Sequence, residues 1–407
     1  MSGVEFDLHD ISRSRAEEAE SLARLRRDDP VHWDEKNQFW LLTRHADVKA
    51  VSRNSELFSS EPNGPWFAFE SHFSLQAVDG SSHHRTRNVV NRGFTPRATQ
   101  YLGERVVRYT DEAIDAVAAQ GHCDLVQDIA VPVPMRIIAD ILGLETHHDL
   151  FRRWIDAVTT AMSDPERSLD AEQAETALEF EGHVRSVVAE RSKRPGSDLI
   201  STLLSGRAEG VFESFTREPF PGVPEGDGVL GFIAFLVLGG SETTRHAISQ
   251  GMRVLIEHPD QRRRLRANPD LLELAVEEIL RFVTPVRAMQ RTVMRDTELA
   301  GRKLEKGSVV VMSYSSANRD EGVFDEPERF SIDRKRNEHV SFGFGSHFCM
   351  GANLARMEIG NAIFRLLERL PDLELAPGTQ PTRFPSPIVN GLLNLPAVFA
   401  PRSPLSV

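Results

Sequence analysis

Cysteine is scarce in this chain: Cys123 and Cys349 are the two among 407 residues. They lie far apart, and two cysteines make no disulfide framework, so each needs its own explanation. A basic excess is missing too. Against 60 Asp and Glu stand 48 Lys and Arg, a formal charge of −12, so no net positive field draws the chain to nucleic acid or anionic lipid. Long apolar runs are absent as well. The most apolar stretch, "VLGFIAFLVLGG" from Val229 to Gly240, is too short to span a bilayer and is interrupted by glycine. The start, "MSGVEFDLHDISRSRAEEAE", lacks the basic and then apolar regions of a signal peptide. These absences predict a globular, cytoplasmic protein with no membrane anchor and no nucleic-acid partner; they leave its oligomeric state open.

Helical periodicity is abundant, in segments such as "ERVVRYTDEAIDAVAAQ", "FRRWIDAVTTAMS" and "AEQAETALEFEGHVRSVVAERSK". Strand patterns are few. "PVHWDEKNQFWLL" reads as a hairpin, and "RTVMRDTELAGRKLEKGSVVVMSYS" as a β-rich patch with turn residues between β-branched runs. The expected fold class is mainly α with a minor β region, in a single domain over 1–407. A Gly- and Pro-rich surface loop is expected between about Gly206 and Gly228.

Cys349 sits in "FGFGSHFCMG", Phe342 to Gly351, just before the helical pattern "ANLARMEIGNAIFRLLERL". A zinc site would need a second ligand pair beside His347 and Cys349. Covalent c-type haem needs C-x-x-C-H, which is absent. "GFGSHF" begins like a dinucleotide fingerprint, but Phe348 occupies the third glycine position. A thiolate bound to a flat cofactor suits the segment better. The following helix aims free N–H groups and its positive end at the sulfur, which favours the ionised form. Glycines at 343, 345 and 351 let the backbone turn sharply beside a ligand, and Phe342 and Phe348 would shield the sulfur from water.

F-G-x-G-x-H-x-C-x-G resembles the haem-binding signature of the cytochromes P-450 at all six defined positions. The resemblance runs from the helix at His83 to the helix after Cys349; the first sixty residues match in pattern only. It implies a triangular, mostly helical haem domain, with haem b between a long central helix and the helix after the cysteine loop. Cys349 would be the axial iron ligand, with Phe342, Gly343 and Gly351 shaping its cradle. The haem carboxylates would be held by His83 and Arg87 of "DGSSHHRTRNVV", by Arg291 of "MQRTVMRD" and by His347. Where "DGSSHH" stands, many relatives have two prolines and an acidic residue, so the start of that helix is open.

Glu278 and Arg281 in "LLELAVEEILRFVTP" share a helix face. Taken alone they are a solvated ion pair; E-x-x-R nevertheless resembles the family's buried structural pair, with Arg329 of "FDEPERF" as the expected third member. "GGSETT", from Gly239, resembles the oxygen-activating motif. Its clustered poor helix formers predict a loosened hydrogen-bond ladder in the central helix. Thr243 would donate or relay a hydrogen bond to oxygen, Glu242 would connect the site to solvent protons, and Gly239, where the family often has alanine, would give a roomier ceiling.

The expected activity is insertion of one oxygen atom from O2 into a hydrophobic small molecule. The sequence carries no iron–sulfur cysteine set and no flavin or nicotinamide fingerprint, so the resemblance implies electrons from NAD(P)H through an external reductase and ferredoxin. Arg85, Arg92 and Arg97 form either a docking patch or a solvated helix face. The substrate wall is expected from Trp66, Phe67, Phe69 and Phe73, with Val286 and Met289, and Ile388 and Val389 by position; aromatic and apolar lining is what ligand sites use. The motif wording leans to members acting on sterols, terpenoids and branched lipids, and aromatic or polyketide substrates stay open. So do two other functions: a peroxide-driven or isomerising haem–thiolate enzyme, and a non-catalytic haem sensor or binding protein. Cys123 reads as a small core residue.

Overall fold

The computed structural model describes residues 6–405 except 11, 62–74, 96–98, 100, 145–147, 164–169 and 213–227. The periodic segments are helices: α1 (Arg15–Asp28), α2 (His45–Arg53), α3 (Gly80–Val90), α4 (Leu102–Ala118), α5 (Pro132–Leu142), α6 (His148–Ser163), α7 (Ala171–Lys193) and α8 (Leu199–Ala208). After them come α9 (Gly228–Glu257), α10 (Pro259–Ala267), α11 (Leu272–Val283), the short α12 (Tyr314–Ala317) and α13 (Ala352–Arg369). Their starts follow capping chemistry. Ser14 accepts from the Glu17 N–H and Glu17 returns the bond, and Asp170 and Gln173 form the same reciprocal box ahead of α7. Asp79 is the N-cap residue of α3, whose first residue is Gly80. No described helix is long and apolar enough to cross a membrane.

The β region is small, as expected. Strands β1 (Val31–Asp34) and β2 (Phe39–Leu42) form the hairpin, with Val31 opposite Leu42, and β3 is Phe58–Ser59. β4 (His122–Asp124) comes next, then β5 (Ala288–Val293), β6 (Thr297–Leu299), β7 (Arg302–Leu304) and β8 (Val309–Ser313), and finally β9 (Glu374–Leu375) and β10 (Pro396–Val398). The main sheet has the order β1-β2-β8-β5-β3. β2 joins β8 in parallel, Leu41 beside Val311, and β5 runs antiparallel to β8 with Met289 opposite Met312. Cys123 is buried in β4, its thiol pushed up to about 12 by burial.

α9 organises the interior. Its first half, including Phe232, Ile233 and Val237, packs into one apolar cluster with α5 to α8; its second half, including Ile248, Met252 and Leu255, packs into another with α11 and α13. A side chain at Gly251 would bring its Cβ to 2.9 Å from Ile279 and 3.0 Å from Ile363, so glycine there lets α11 and α13 close on α9. Each fully buried Leu, Ile or Phe contributes about 1.5–3 kcal/mol. The expected loosening at Gly239–Thr244 is not present: α9 is continuous from Gly228 to Glu257. Ser241 Oγ donates to the Val237 carbonyl at 2.6 Å and Thr243 Oγ1 to that of Gly239 at 3.0 Å. Packing on both sides overrides the weak propensity of these residues.

The pair on α11 is no solvated bridge. Glu278 and Arg281 are both wholly buried, joined at 2.8 and 2.9 Å. The third member differs from the expectation: Arg334, not Arg329, reaches Glu278, at 3.0 Å. Arg329 turns outward to Glu326 and offers only its carbonyl to Arg281. The chain reverses at 325–334, which turns the Arg329 side chain to solvent and brings Arg334 back over the pair.

Candidate active site

Between α9, α3, β5 and the loop before α13 lies a cavity with about 1760 Å³ of empty space, its open mouth included. Cys349 forms part of its floor. The loop is pinned by Gly343 N–H to the Val340 carbonyl at 2.8 Å and by Cys349 N–H to that of Phe342 at 2.9 Å. Gly345 has φ +74°, and a Cβ there would run into the carbonyl of Ser52 on α2. The loop is thereby wedged against α2, with the Cys349 side chain exposed to the cavity while the protein encloses it. Burial raises the pKa of this thiol; the Gly351 N–H and the positive charges of Arg87 and Arg356 pull the other way but do not outweigh it. The helix start contributes as expected, and a bound metal cation is the charge that would hold the sulfur ionised. Phe342 lines the cavity, its ring centroid 6.2 Å from that of Phe348 and 4.6 Å from the Arg356 guanidinium, which lies over the ring.

The four expected anchors come together at one end. His83, Arg87, Arg291 and His347 all line the cavity. His83 is buried, with no hydrogen-bond partner on Nε2 among the described residues, and its ring centroid lies 4.3 Å from that of His347. Burial first, then the charges of His347 and Arg87, lower its pKa to about 4. Arg87 donates to the loop carbonyls of Ser346 and Phe348. Arg291 is buried and donates to the Gln290 carbonyl at 2.6 Å. His347 Nε2 stands 2.7 Å from Asp79 Oδ1. Burial would raise the pKa of Asp79, but hydrogen bonds from His347 and Ser59 hold it down, at about 2.

A haem fits these residues. The cavity offers a sulfur on its floor, walls from Leu236, Ala247, Phe342 and Leu354, one buried guanidinium (Arg291), one half-buried (Arg87), and an imidazole nitrogen of His83 with no hydrogen-bond partner among the described residues. Anionic carboxylates are what these basic groups would receive.

On α9, Gly239 and Thr243 line the cavity; a Cβ on Gly239 would meet nothing within 4 Å, which is the roomier ceiling. Glu242 lies off the lining. Its carboxylate pairs with Arg245 at 2.6 Å and lies 3.8 Å from His246 Nε2. Val286 and Met289 line the wall. Ile388 and Val389 are off the lining and pair alongside it: Val389 bridges Val286, and the Ile388 carbonyl accepts from the Arg287 N–H. Trp66, Phe67, Phe69 and Phe73 lie outside the described residues, as does Arg97; Arg85 and Arg92 are exposed.

Three residues at the site escaped the sequence reading. Asp79 closes the His347 contact, and its only signal was the acidic residue heading "DGSSHH". Arg245 neutralises Glu242, visible as the same three-residue spacing as Glu278 and Arg281. Glu358 on α13 lines the cavity, buried, with Oε2 unpartnered, and burial pushes its carboxyl well up; nothing in its local pattern announced that.

A sequence model described as Cytochrome P450 matches residues 190–398. A steroid C26-monooxygenase of Mycolicibacterium smegmatis is 37% identical, covering 94% of this chain and 92% of its own; one from Mycobacterium tuberculosis is 35% identical, covering 98% of each. Among solved structures, CYP109E1 of Bacillus megaterium in complex with testosterone superposes with a TM-score of 0.80 at 33% identity, over 94% of this chain and 97% of that one. CalO2 superposes with a TM-score of 0.85 at 29% identity, over 98% and 100%. The chain belongs to the cytochrome P450 family. It is a haem–thiolate monooxygenase with a hydrophobic substrate, using O2 and electrons delivered from NAD(P)H by partner proteins.

Proposed function

We propose that this P450 hydroxylates steroids, with electrons supplied by a ferredoxin and its reductase in the cytoplasm. The observation that carries the reading is the cavity, lined by the apolar Val286, Met289, Phe235 and Leu236 beside the basic His83, Arg87 and Arg291. A rigid polycyclic substrate loses little rotational freedom on entering such a site and is recognised by shape. The names of the relatives support the class, one of them bound to testosterone and others named for oxidation at C26.

In this reading Cys349 would supply the thiolate ligand, and His83, Arg87, Arg291 and His347 would hold the haem carboxylates, for which His347 would give up Asp79. Haem with a thiolate ligand activates dioxygen for insertion into an unactivated C–H bond. One oxygen atom enters the substrate and the other leaves as water, which takes two electrons and two protons. Thr243 lines the cavity; its hydroxyl would turn from the Gly239 carbonyl to relay a proton, and Glu242, once released from Arg245, would replenish it.

A titration of the ferric protein with testosterone, a C27 sterol, a terpenoid and a fatty acid, read by the Soret band, tests the substrate class. Saturable shifts with the steroids are expected; shifts confined to another scaffold overturn the steroid assignment. Thr243→Ala tests the relay: NAD(P)H oxidation is expected to continue while peroxide replaces product, and unchanged coupling refutes the role.

A further inference from the structure

The cavity wall at Pro285, Val286 and Met289 is not held by its own strand alone. Arg287, between these lining residues, is itself off the lining and buried. Its guanidinium donates to Glu18 in the first turns of α1, and the same carboxylate takes Arg383 at 3.5 Å. Arg383 also donates to the carbonyl of Arg13, next to the N-cap of α1, at 2.6 Å. A second strap starts at Arg15, which donates to Gln250 of α9. Gln250 donates to the Asn390 carbonyl, and Asn390 donates through its side chain to Val283 and through its N–H to Pro285. Segments 283–289 and 383–392 thus form one double-stranded wall, closed by the Val286–Val389 bridge, and α1 grips it from outside at two places.

The charges make the first strap the sensitive one. Arg15, Arg253 and Arg383 lie close enough that their mutual repulsion, added to burial, brings the Arg15 pKa down to about 9. In this cationic corner Glu18 is the carboxylate that touches both Arg287 and Arg383. Without it a buried guanidinium loses its counter-charge, and such a group moves towards water and takes its backbone along.

We propose that Glu18 is a positioning residue for the substrate wall: by neutralising Arg287 and Arg383 it fixes the segment carrying Val286 and Met289, so the N-terminal helix sets the fit of bulky ligands without touching them. This rests on the reading of the cavity as the substrate site. The test therefore uses probes that do not depend on steroids. Imidazole and 4-phenylimidazole both coordinate the haem iron, and only the second carries bulk to the walls. In the haem-loaded Glu18→Gln variant, 4-phenylimidazole affinity is expected to change about tenfold relative to imidazole, whose own affinity stays within about twofold. Glu18→Asp is expected to restore most of the ratio. Arg287→Met, which removes the guanidinium that Glu18 pairs with, is expected to change the ratio too, and adding Glu18→Gln to it should then change little more. An unchanged ratio in both single variants, a parallel weakening of both azoles, or full additivity in the double variant overturns the proposal. Should Glu18→Gln fail to retain haem, Arg287→Met alone decides through the same ratio. Failure of the wild type to bind steroids would strike the substrate class and leave the azole ratio as it stands.

Discussion

Two Glu-x-x-Arg pairs occupy two buried helices of this protein, and they are built to opposite ends. On α11, Glu278 takes Arg281 twice, Arg334, Asn337 and the Ser331 N–H, while Arg281 also donates to the carbonyls of Asn318, Pro327 and Arg329. Their side chains are 0% exposed. On α9, Glu242 and Arg245 meet at 2.6 Å, but among the described residues Arg245 Nε has no hydrogen-bond partner, and neither does either ring nitrogen of the fully buried His246, whose Nε2 lies 3.8 Å from Glu242. A buried charge network stabilises a fold only when every member is satisfied. The first pair meets that condition at both oxygens of Glu278 and all three guanidinium nitrogens of Arg281, and ties α11 to the chain after α12. The second is less completely satisfied among the described residues, so breaking it should cost less.

The comparison breaks most visibly at Glu278. Glu278→Ala strands Arg281 and Arg334 in the interior, and a loss of about 3–5 kcal/mol is expected in urea unfolding, with little haem-loaded protein recovered. A loss below 1 kcal/mol would make the two pairs equivalent. The α9 pair should respond in rate instead. Glu242→Gln is expected to slow product formation on the order of tenfold to hundredfold while shifting stability by about 1 kcal/mol or less; single-turnover product yield and urea midpoints separate the two.

A third carboxylate sharpens the contrast through pH. Although burial opposes it, hydrogen bonds from His339 and Arg356 hold the Glu277 pKa down at about 2. That is below its unfolded value, so its contribution is present above the unfolded pKa, near pH 4.5, and disappears as pH falls towards 2. At neutral pH Glu277→Gln should cost about 1–3 kcal/mol, and its unfolding midpoint should converge on that of the wild type in that acid window. Convergence at alkaline pH instead would reverse the sign. The smallest effect is expected at Arg329, whose side chain is 61% exposed. Arg329→Ala should lie within about 0.5 kcal/mol of the wild type, whereas Arg334→Ala should be clearly destabilised in the same assay.

The cysteine loop was legible because its spacing is local: six defined positions within ten residues leave few alternatives. The helical class and the hairpin were legible from periodicity and turn residues. Partner choice was not. Arg329 and Arg334 are both arginines in one irregular segment, and only the path of the chain decides which returns to Glu278. Propensity likewise misled at Gly239–Thr244, where burial on both sides holds a helix together that the residues alone would loosen. Ile388 and Val389 were placed at the wall by position; they pair alongside Val286 and Arg287 without lining the cavity themselves, a distinction set by pairing and not by hydropathy.

The parallel seam between β2 and β8 carries a consequence for synthesis. Leu41 finds Val311 only after about 270 further residues have been made. At about 5–20 residues per second, the hairpin edge waits tens of seconds on the ribosome. During that time its apolar residues Phe39, Trp40, Leu41 and Leu42 are available to other strands. Expression yield should therefore depend on elongation rate and on chaperones that cover the nascent N-terminus, even for variants whose finished fold is unchanged.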